Sequence, residues 1–219
     1  MAAIKINNLT KVYKDVVAVD NLNLEIKEGE LFSLLGVNGA GKTTTIKMLS
    51  TLVKPTSGDA YIFDYSILKD EDKIKEIVDI SMQETAVARK LTVEENIEFY
   101  AKLSGQTNEE VKKSKERLYK AFELDKVAKK KASKLSGGWQ RKLSVALALV
   151  SNPKVLFLDE PTLGLDVIAR RELWKTINKE FPKMNTIYQE YPWGSGCILS
   201  VCYLSKKHYR YEHNEFFEL

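Results

Sequence analysis

The sequence predicts an α/β fold, and three observations carry the prediction. Leu31-Phe32-Ser33-Leu34-Leu35 reads as a buried strand that leads into a glycine-rich loop, a helix and another strand, the alternation of an α/β core. Residues 92–134 switch to mixed charge at helical spacing, the pattern of a small helical lobe inserted between core segments. Val155-Leu156-Phe157-Leu158 is then an unbroken apolar run, suited to a strand covered on both faces. A chain of 219 residues buries a sizeable core as one large domain, or as a core with an inserted lobe.

Taken in order, Ile4-Lys5-Ile6, Ala18-Val19 and Leu22-Asn23-Leu24-Glu25-Ile26 are short strand candidates, and Lys27-Glu28-Gly29-Glu30 turns the chain into Leu31. Residues 43–52 are expected to form a helix, closed by Lys54-Pro55-Thr56-Ser57-Gly58, and residues 60–63 return as a strand. In the lobe, Thr92 stands ahead of Glu94 and Glu95 at a helix start. Lys112, Lys113 and Lys115, and the run Lys129-Lys130-Lys131, read as solvated helix faces, with a polyanion or lipid-headgroup contact as the alternative.

Composition narrows the class. With 34 Lys+Arg against 30 Asp+Glu, the net charge of +4 is too dilute for the basic patch that nucleic-acid binding needs, so no nucleic-acid partner is expected. No run of about eighteen apolar residues exists to span a bilayer. The start, MAAIKINNLTKVYK, has charges where a signal peptide carries an apolar segment, and a cytoplasmic location is expected. Cys197 and Cys202 make neither a disulfide framework nor a zinc pattern.

Gly36-Val37-Asn38-Gly39-Ala40-Gly41-Lys42-Thr43 fits G-x-x-x-x-G-K-S/T between a strand and a helix, the context that the motif requires. Glycines let the backbone close around phosphate oxygens, and the start of the following helix adds the positive end of its dipole. Lys42 brings a full charge to the β and γ phosphates, and the Thr43 hydroxyl suits one position on Mg2+. The loop identifies a nucleoside triphosphate but does not choose among a kinase, a GTPase and a motor ATPase. Asp159 and Glu160 close the second apolar strand. Successive side chains diverge there, so Asp159 can enter the Mg2+ shell while Glu160 turns towards a water in line with the γ-phosphate. A solvated turn is the alternative for such a pair standing alone. The nearest approach to an Asn-Lys-x-Asp guanine reader, Asn178-Lys179-Glu180-Phe181, lacks the acid and leaves guanine specificity unsupported.

Ser136-Gly137-Gly138 heads a further helix with apolar positions at Leu143, Ala146, Leu147 and Val150. Ser136 is expected as its N-cap, and the paired glycines leave N–H groups bare for an anion. A simple capped helix is the alternative. The anion reading gives a second phosphate-binding helix start, about a hundred residues from the first.

Here the chain resembles the nucleotide-binding domain of ABC transporters, over residues 1 to about 181. GVNGAGKT at 36–43 resembles Walker A, Gln83 in SMQE the Q-loop, LSGGWQ at 135–140 the signature, LFLDE at 156–160 Walker B and PTLGLD at 161–166 the D-loop. The resemblance implies a P-loop NTPase core with a parallel-rich sheet, an N-terminal antiparallel β subdomain and an α-helical subdomain inserted at about 84–150. It implies ATP and Mg2+ as ligands. Tyr13 would stack on adenine, and Gly36, Asn38, Gly39, Ala40, Gly41, Lys42, Thr43 and Thr44 would surround the phosphates. Thr43, Gln83 and Asp159 would hold the metal, with Glu160 and Gln83 catalytic. Ser136, Gly137 and Gly138 would bind the γ-phosphate of ATP held by a second nucleotide-binding domain, in a homo- or heterodimer. Gln83 would link the site to a transmembrane permease subunit. Trp139 departs from the Gln or Met more usual at its position. Residues 90–97 further resemble the subgroup that pairs with ABC-2-type export permeases, including drug-resistance exporters. The implied function is the ATP-hydrolysing energy subunit of an exporter, peripheral on the inner face of the cell membrane. A hydrolysis-impaired remnant and an ABC-type ATPase outside transport are the alternatives.

Residues 182–219 hold both cysteines, both histidines (His208 and His213) and five of the ten tyrosines, with no Ala and no Asp. In the family a helix, here 167–181, leads to an apolar strand ending in the H-switch histidine about thirty residues beyond the catalytic glutamate. Counting from Glu160 reaches Trp193, in a stretch with neither feature. The tail is therefore expected not to match the family, as a frameshifted ending would not, and the core sheet to lack an inner or adjacent strand. Residues 197–204 could form a strand, with His208 beyond it either as a displaced switch or as a solvated histidine.

Overall fold

The structure is a computed structural model that describes residues 1–82, 87–181, 184–189, 200–204 and 209–213. The chain divides into two units, one of Met1–Ile80, Lys154–Glu160 and Lys183–Leu219, the other of Ser81–Pro153 and Pro161–Pro182.

The first unit carries two sheets. β1 (Ala2–Tyr13) and β2 (Val16–Lys27) form an antiparallel hairpin, and with β4 (Ser57–Ile62) and β5 (Tyr65–Ser66) give the order β2-β1-β4-β5. Ile4 and Ile6 are buried while Lys5 between them is exposed, the two-residue period of a half-buried strand. Both hairpin strands outrun the short segments that the sequence suggests. Asn8 and Asn21 take left-handed backbone, with φ of 50 and 47, and the pairing register shifts between Ile6 and Leu9. Asparagine tolerates this conformation, so such irregularities let a strand continue past polar residues that break its alternation.

The second sheet has the order β10-β9-β3-β8-β7-β6, from β3 (Leu31–Gly36), β6 (Val78–Ser81), β7 (Val155–Asp159), β8 (Asn185–Gln189), β9 (Ser200–Leu204) and β10 (Tyr209–His213). β8 lies between β3 and β7 and is parallel to both, β9 is parallel to β3 on its other side, and β10 runs antiparallel to β9. The inner strand expected to be missing is thus present, and the expectation of a gapped sheet is corrected. Its cause is a polar residue in a core position. Asn185 is buried, and its amide is satisfied on both sides: Nδ2 donates to the Lys27 carbonyl at 2.6 Å and Oδ1 accepts from the Gly29 N–H at 3.1 Å. With that group paired, Asn185 sits in the strand beside the buried, β-branched Thr186 and Ile187 that follow it. Of the segment 197–204, β9 occupies Ser200–Leu204. Trp193 and His208 lie outside the described residues.

Phe32, Leu34, Phe157 and Ile187 of this sheet share one buried cluster with Ile46 and Met48 of α1 (Lys42–Leu49) and with Ile4, Ile6 and Ile26 of the hairpin. α1 ends three residues before its expected end. The Ser50 hydroxyl bonds back to the Ile46 carbonyl at 2.8 Å, and Thr51 turns left-handed with φ of 60, so local side-chain bonding wins over helix continuation. α2 (Glu71–Ile77) precedes β6.

The second unit is helical, with α3 (Val93–Leu103), α4 (Asn108–Phe122), α5 (Gly137–Ala148) and α6 (Val167–Glu180). Capping boxes start two of them. The Thr92 hydroxyl accepts from the Glu95 N–H while Glu95 bonds back to Thr92, and Thr107 and Glu110 repeat the arrangement. Thr92→Ala is expected to cost about 1 kcal/mol of stability, measured as a lower denaturant midpoint at unchanged slope. Lys112 and Lys113 are solvated on α4 as expected, Lys129–Lys131 are exposed but lie outside any helix, and Lys115 is not solvated. Its ammonium bonds Glu94 at 2.6 Å and Glu98 at 2.8 Å, which pins α4 to α3 and holds the group charged well above the usual lysine range. Among the described residues no helix is long and apolar enough to cross a membrane.

Candidate active site

The loop between β3 and α1 is shaped by its glycines. Gly39 and Gly41 take φ of 79 and 90, and Gly41 closes the loop as the N-cap of α1. A Cβ at Gly41 would collide with the backbone carbonyl of Ala18 in β2, whereas one at Gly39 would meet open space. Gly41→Ala is therefore expected to lose about 1–2 kcal/mol from the left-handed backbone and more from displacing β2, and to weaken ATP binding by about tenfold. Gly39→Ala should show the backbone cost alone, so the pair of denaturation midpoints separates the two effects.

Lys42 is only 8% exposed, and its ammonium lies across the loop, donating to the Gly36 carbonyl at 2.7 Å and the Val37 carbonyl at 3.1 Å. Burial pushes its pKa below the ordinary lysine value, against the pull of Glu160 and Asp159, which favour the charged form. An ammonium held by neutral carbonyls near two acids gains when phosphate oxygens take their place. Thr43 is half-buried in the first turn of α1 and Thr44 follows it. Asn38 is exposed and Ala40 buried, its N–H bonded to the Val37 carbonyl at 3.1 Å.

The acid pair meets this loop through the sheet. Gln189 of β8 pairs with Leu34 on one side and Asp159 on the other, which sets Asp159 level with a residue two short of the loop's first glycine. With one strand between them, β3 and β7 stand about 10 Å apart. Asp159 is 2% exposed at the end of β7. Glu160 is half-buried and adopts left-handed backbone with φ of 49, at a cost of about 1 kcal/mol. Sequence reading places the two acids but does not show this turn, which swings Glu160 out of the strand's alternation.

Tyr13 ends β1 at the tip of the hairpin, paired with Val16, and is 44% exposed with the Lys11 ammonium 5.1 Å from its ring centroid. Ala18 and Val19, a few residues along β2, are the residues that touch Gly41. The hairpin therefore anchors an exposed aromatic ring beside the loop.

The remaining predicted residues belong to the other unit. Ser136 is the N-cap of α5, as expected, and its hydroxyl makes no capping hydrogen bond among the described residues. Ser136 and Gly137 are exposed, a Cβ at Gly137 would meet no described atom within 4 Å, and Gly138 packs on Leu165. An exposed hydroxyl and bare N–H groups suit an external anion. The Trp139 ring carries the Lys142 ammonium 5.3 Å from its centroid. Gln83 lies outside the described residues. Sequence reading passes over Arg141, whose guanidinium is buried in α5; its partners are distant in sequence, so only the fold reveals it.

Comparison with known proteins shows the family and the fold that carry these residues. A family model described as ABC transporter matches residues 19–163. The human phospholipid-transporting ATPase ABCA3 is 41% identical over 184 residues, covering 82% of this chain and 11% of that protein. The probable multidrug ABC transporter ATP-binding protein YbhF of Escherichia coli (strain K12) is 36% identical over 184 residues, covering 84% of this chain and 32% of that protein. The chain thus spans between 7% and 32% of the length of such curated relatives. A dimeric post-hydrolysis structure of the ATP-binding cassette MJ0796 bound to ADP and Pi matches with a TM-score of 0.84 at 30% identity, covering 98% of this chain and all of that one. A nucleotide-free ATP-binding cassette matches with a TM-score of 0.86 at 20% identity, which speaks for the fold alone. A loop built for phosphate, an acid pair level with it and a second helix start open to an anion occur here in a chain whose family match spans most of its length: the chain belongs to the ABC transporter family and carries that family's ATPase domain.

Proposed function

We propose that the chain binds and hydrolyses ATP as the energy subunit of a membrane exporter, paired with a second nucleotide-binding domain and docked on a transmembrane permease. The observation that carries the reading is the buried Lys42 ammonium, held across a glycine loop at the level of the sheet where Asp159 ends β7 and Glu160 follows it. Lys42 and the loop N–H groups hold the phosphates, and Tyr13 offers its exposed face to the base. Bound Mg2+ would supply neutralising charge at the β and γ phosphates. Thr43 and Asp159, with Gln83, are the residues that would hold it. Glu160, turned out of the strand by its left-handed backbone, orients a water and takes its proton.

The anion-ready start of α5 belongs to a different unit from the loop. Its Ser136 hydroxyl, free of a capping role, favours service to nucleotide on a second copy or a related cassette. MJ0796 in its dimeric form with ADP and Pi is the structural parallel for this pairing. The names of YbhF and ABCA3, a multidrug ABC transporter ATP-binding protein and a phospholipid-transporting ATPase, support the export reading, in which the chain sits peripherally on the inner face of the cell membrane through its permease. Residues 1–181 make up the nucleotide-binding domain, with a helical subdomain at about 84–150, and residues 182–219 depart from the family in sequence.

Steady-state phosphate release tests the proposal. Wild type is expected to release phosphate from ATP and Lys42→Ala to fall to background; equal rates in the two proteins would remove the enzymatic reading.

A further inference from the structure

Arg141 is a guanidinium only 5% exposed, one turn into α5, the helix that begins at Ser136. Its Nε donates to the Pro161 carbonyl at 2.8 Å and its Nη1 to the Met82 carbonyl at 3.2 Å. Pro161 directly follows Glu160 and Met82 directly precedes Gln83. One turn further along α5 the Ser144 hydroxyl lies 3.2 Å from that of Ser81, both buried, so the entry to Gln83 is tied to this helix twice. Proline offers no N–H, which leaves its carbonyl as the group through which its backbone can be held.

We propose that Arg141 is a positioning residue that couples the start of α5 to the backbone at Pro161 and Met82, which in the chain directly follow Glu160 and directly precede Gln83. The proposal rests on the reading that the chain hydrolyses ATP. A planar fork fixes two acceptors in one geometry, which the single point charge of lysine does not reproduce. When Ser136, Gly137 and Gly138 close on a phosphate, the shift of α5 is carried through one rigid side chain to Pro161 and Met82 together. Glu160 already holds a left-handed conformation, so its direction depends on where the following residue is fixed.

The test compares wild type with Arg141→Lys and Arg141→Ala by phosphate release and by amide hydrogen exchange. In Arg141→Lys, kcat should fall about tenfold or more while the affinity for ATP stays within about threefold, the pattern of a misplaced catalytic group. Exchange should quicken in both 81–82 and 162–165 in both variants, while α3 and α4 keep their protection. Unchanged exchange, quickening of only one of the two segments, or loosening that spreads through α3 and α4 would overturn the proposal. A fall in ATP affinity matching that in kcat would overturn it as well. Should wild type itself release no phosphate, the hydrolytic reading fails separately. The exchange data then decide alone: paired loosening of the two segments supports the coupling, and its absence overturns it.

Discussion

Replacing Glu160 with glutamine is expected to lower steady-state phosphate release by about 10²–10⁴-fold, the range for loss of a positioned general base, while ATP affinity stays within about threefold. The substitution keeps shape and the hydrogen-bonding oxygen and removes only the proton acceptor. Both residues meet the same left-handed backbone at φ of 49, so the strain of the turn is common to wild type and variant and drops out of the comparison. Glu160 also helps keep the Lys42 ammonium charged, behind the dominant effect of burial. Its neutralisation should therefore make the pH range over which Lys42 binds phosphate slightly narrower at the alkaline end. Rates from a phosphate sensor and affinities from a fluorescent ATP analogue separate the two effects.

Lys42→Ala acts on binding instead. Charge-assisted hydrogen bonds are worth about 1.5–3 kcal/mol each, which predicts a loss of ATP affinity of about ten- to a hundredfold or more, and of turnover with it. The same ammonium sets a pH dependence. Phosphate contact needs the charged form, and burial lowers the pKa. Wild-type affinity should therefore begin to fall at a pH below the ordinary lysine range, while the already weak affinity of Lys42→Ala stays flat. Stability of the nucleotide-free protein follows the opposite sign. Between the lowered folded value and the ordinary unfolded value the unfolded chain binds more protons, so stability rises with pH across that window, and Lys42→Ala should abolish the rise.

Much of this site is legible in the sequence because its chemistry is local. The glycines that must turn, the lysine that follows them and the strand before them occupy one short stretch, and the acids sit at the end of an unmistakably apolar run. What the sequence conceals depends on partners far along the chain. β8 reads poorly because Asn185 and Gln189 frame only three residues, of which Ile187 alone is aliphatic, and the groups that satisfy Asn185 are more than a hundred and fifty residues away. Arg141 looks like a surface cation of a helix until its acceptors, twenty and fifty-nine residues distant, close around it. The early stop of α1 and the turn at Glu160 are decisions of a single backbone angle, taken where local bonding and tertiary anchoring override the periodic pattern.

The chemical identity of retained nucleotide tests the central claim most directly. Wild type and Glu160→Gln are loaded with radiolabelled ATP and Mg2+, passed rapidly through gel filtration, and the nucleotide that travels with each protein is separated and counted. ADP on wild type and intact ATP on Glu160→Gln is the result that a loop built to hold phosphates and a glutamate built to activate water predict. ADP on both proteins, or no nucleotide on either, would contradict the account.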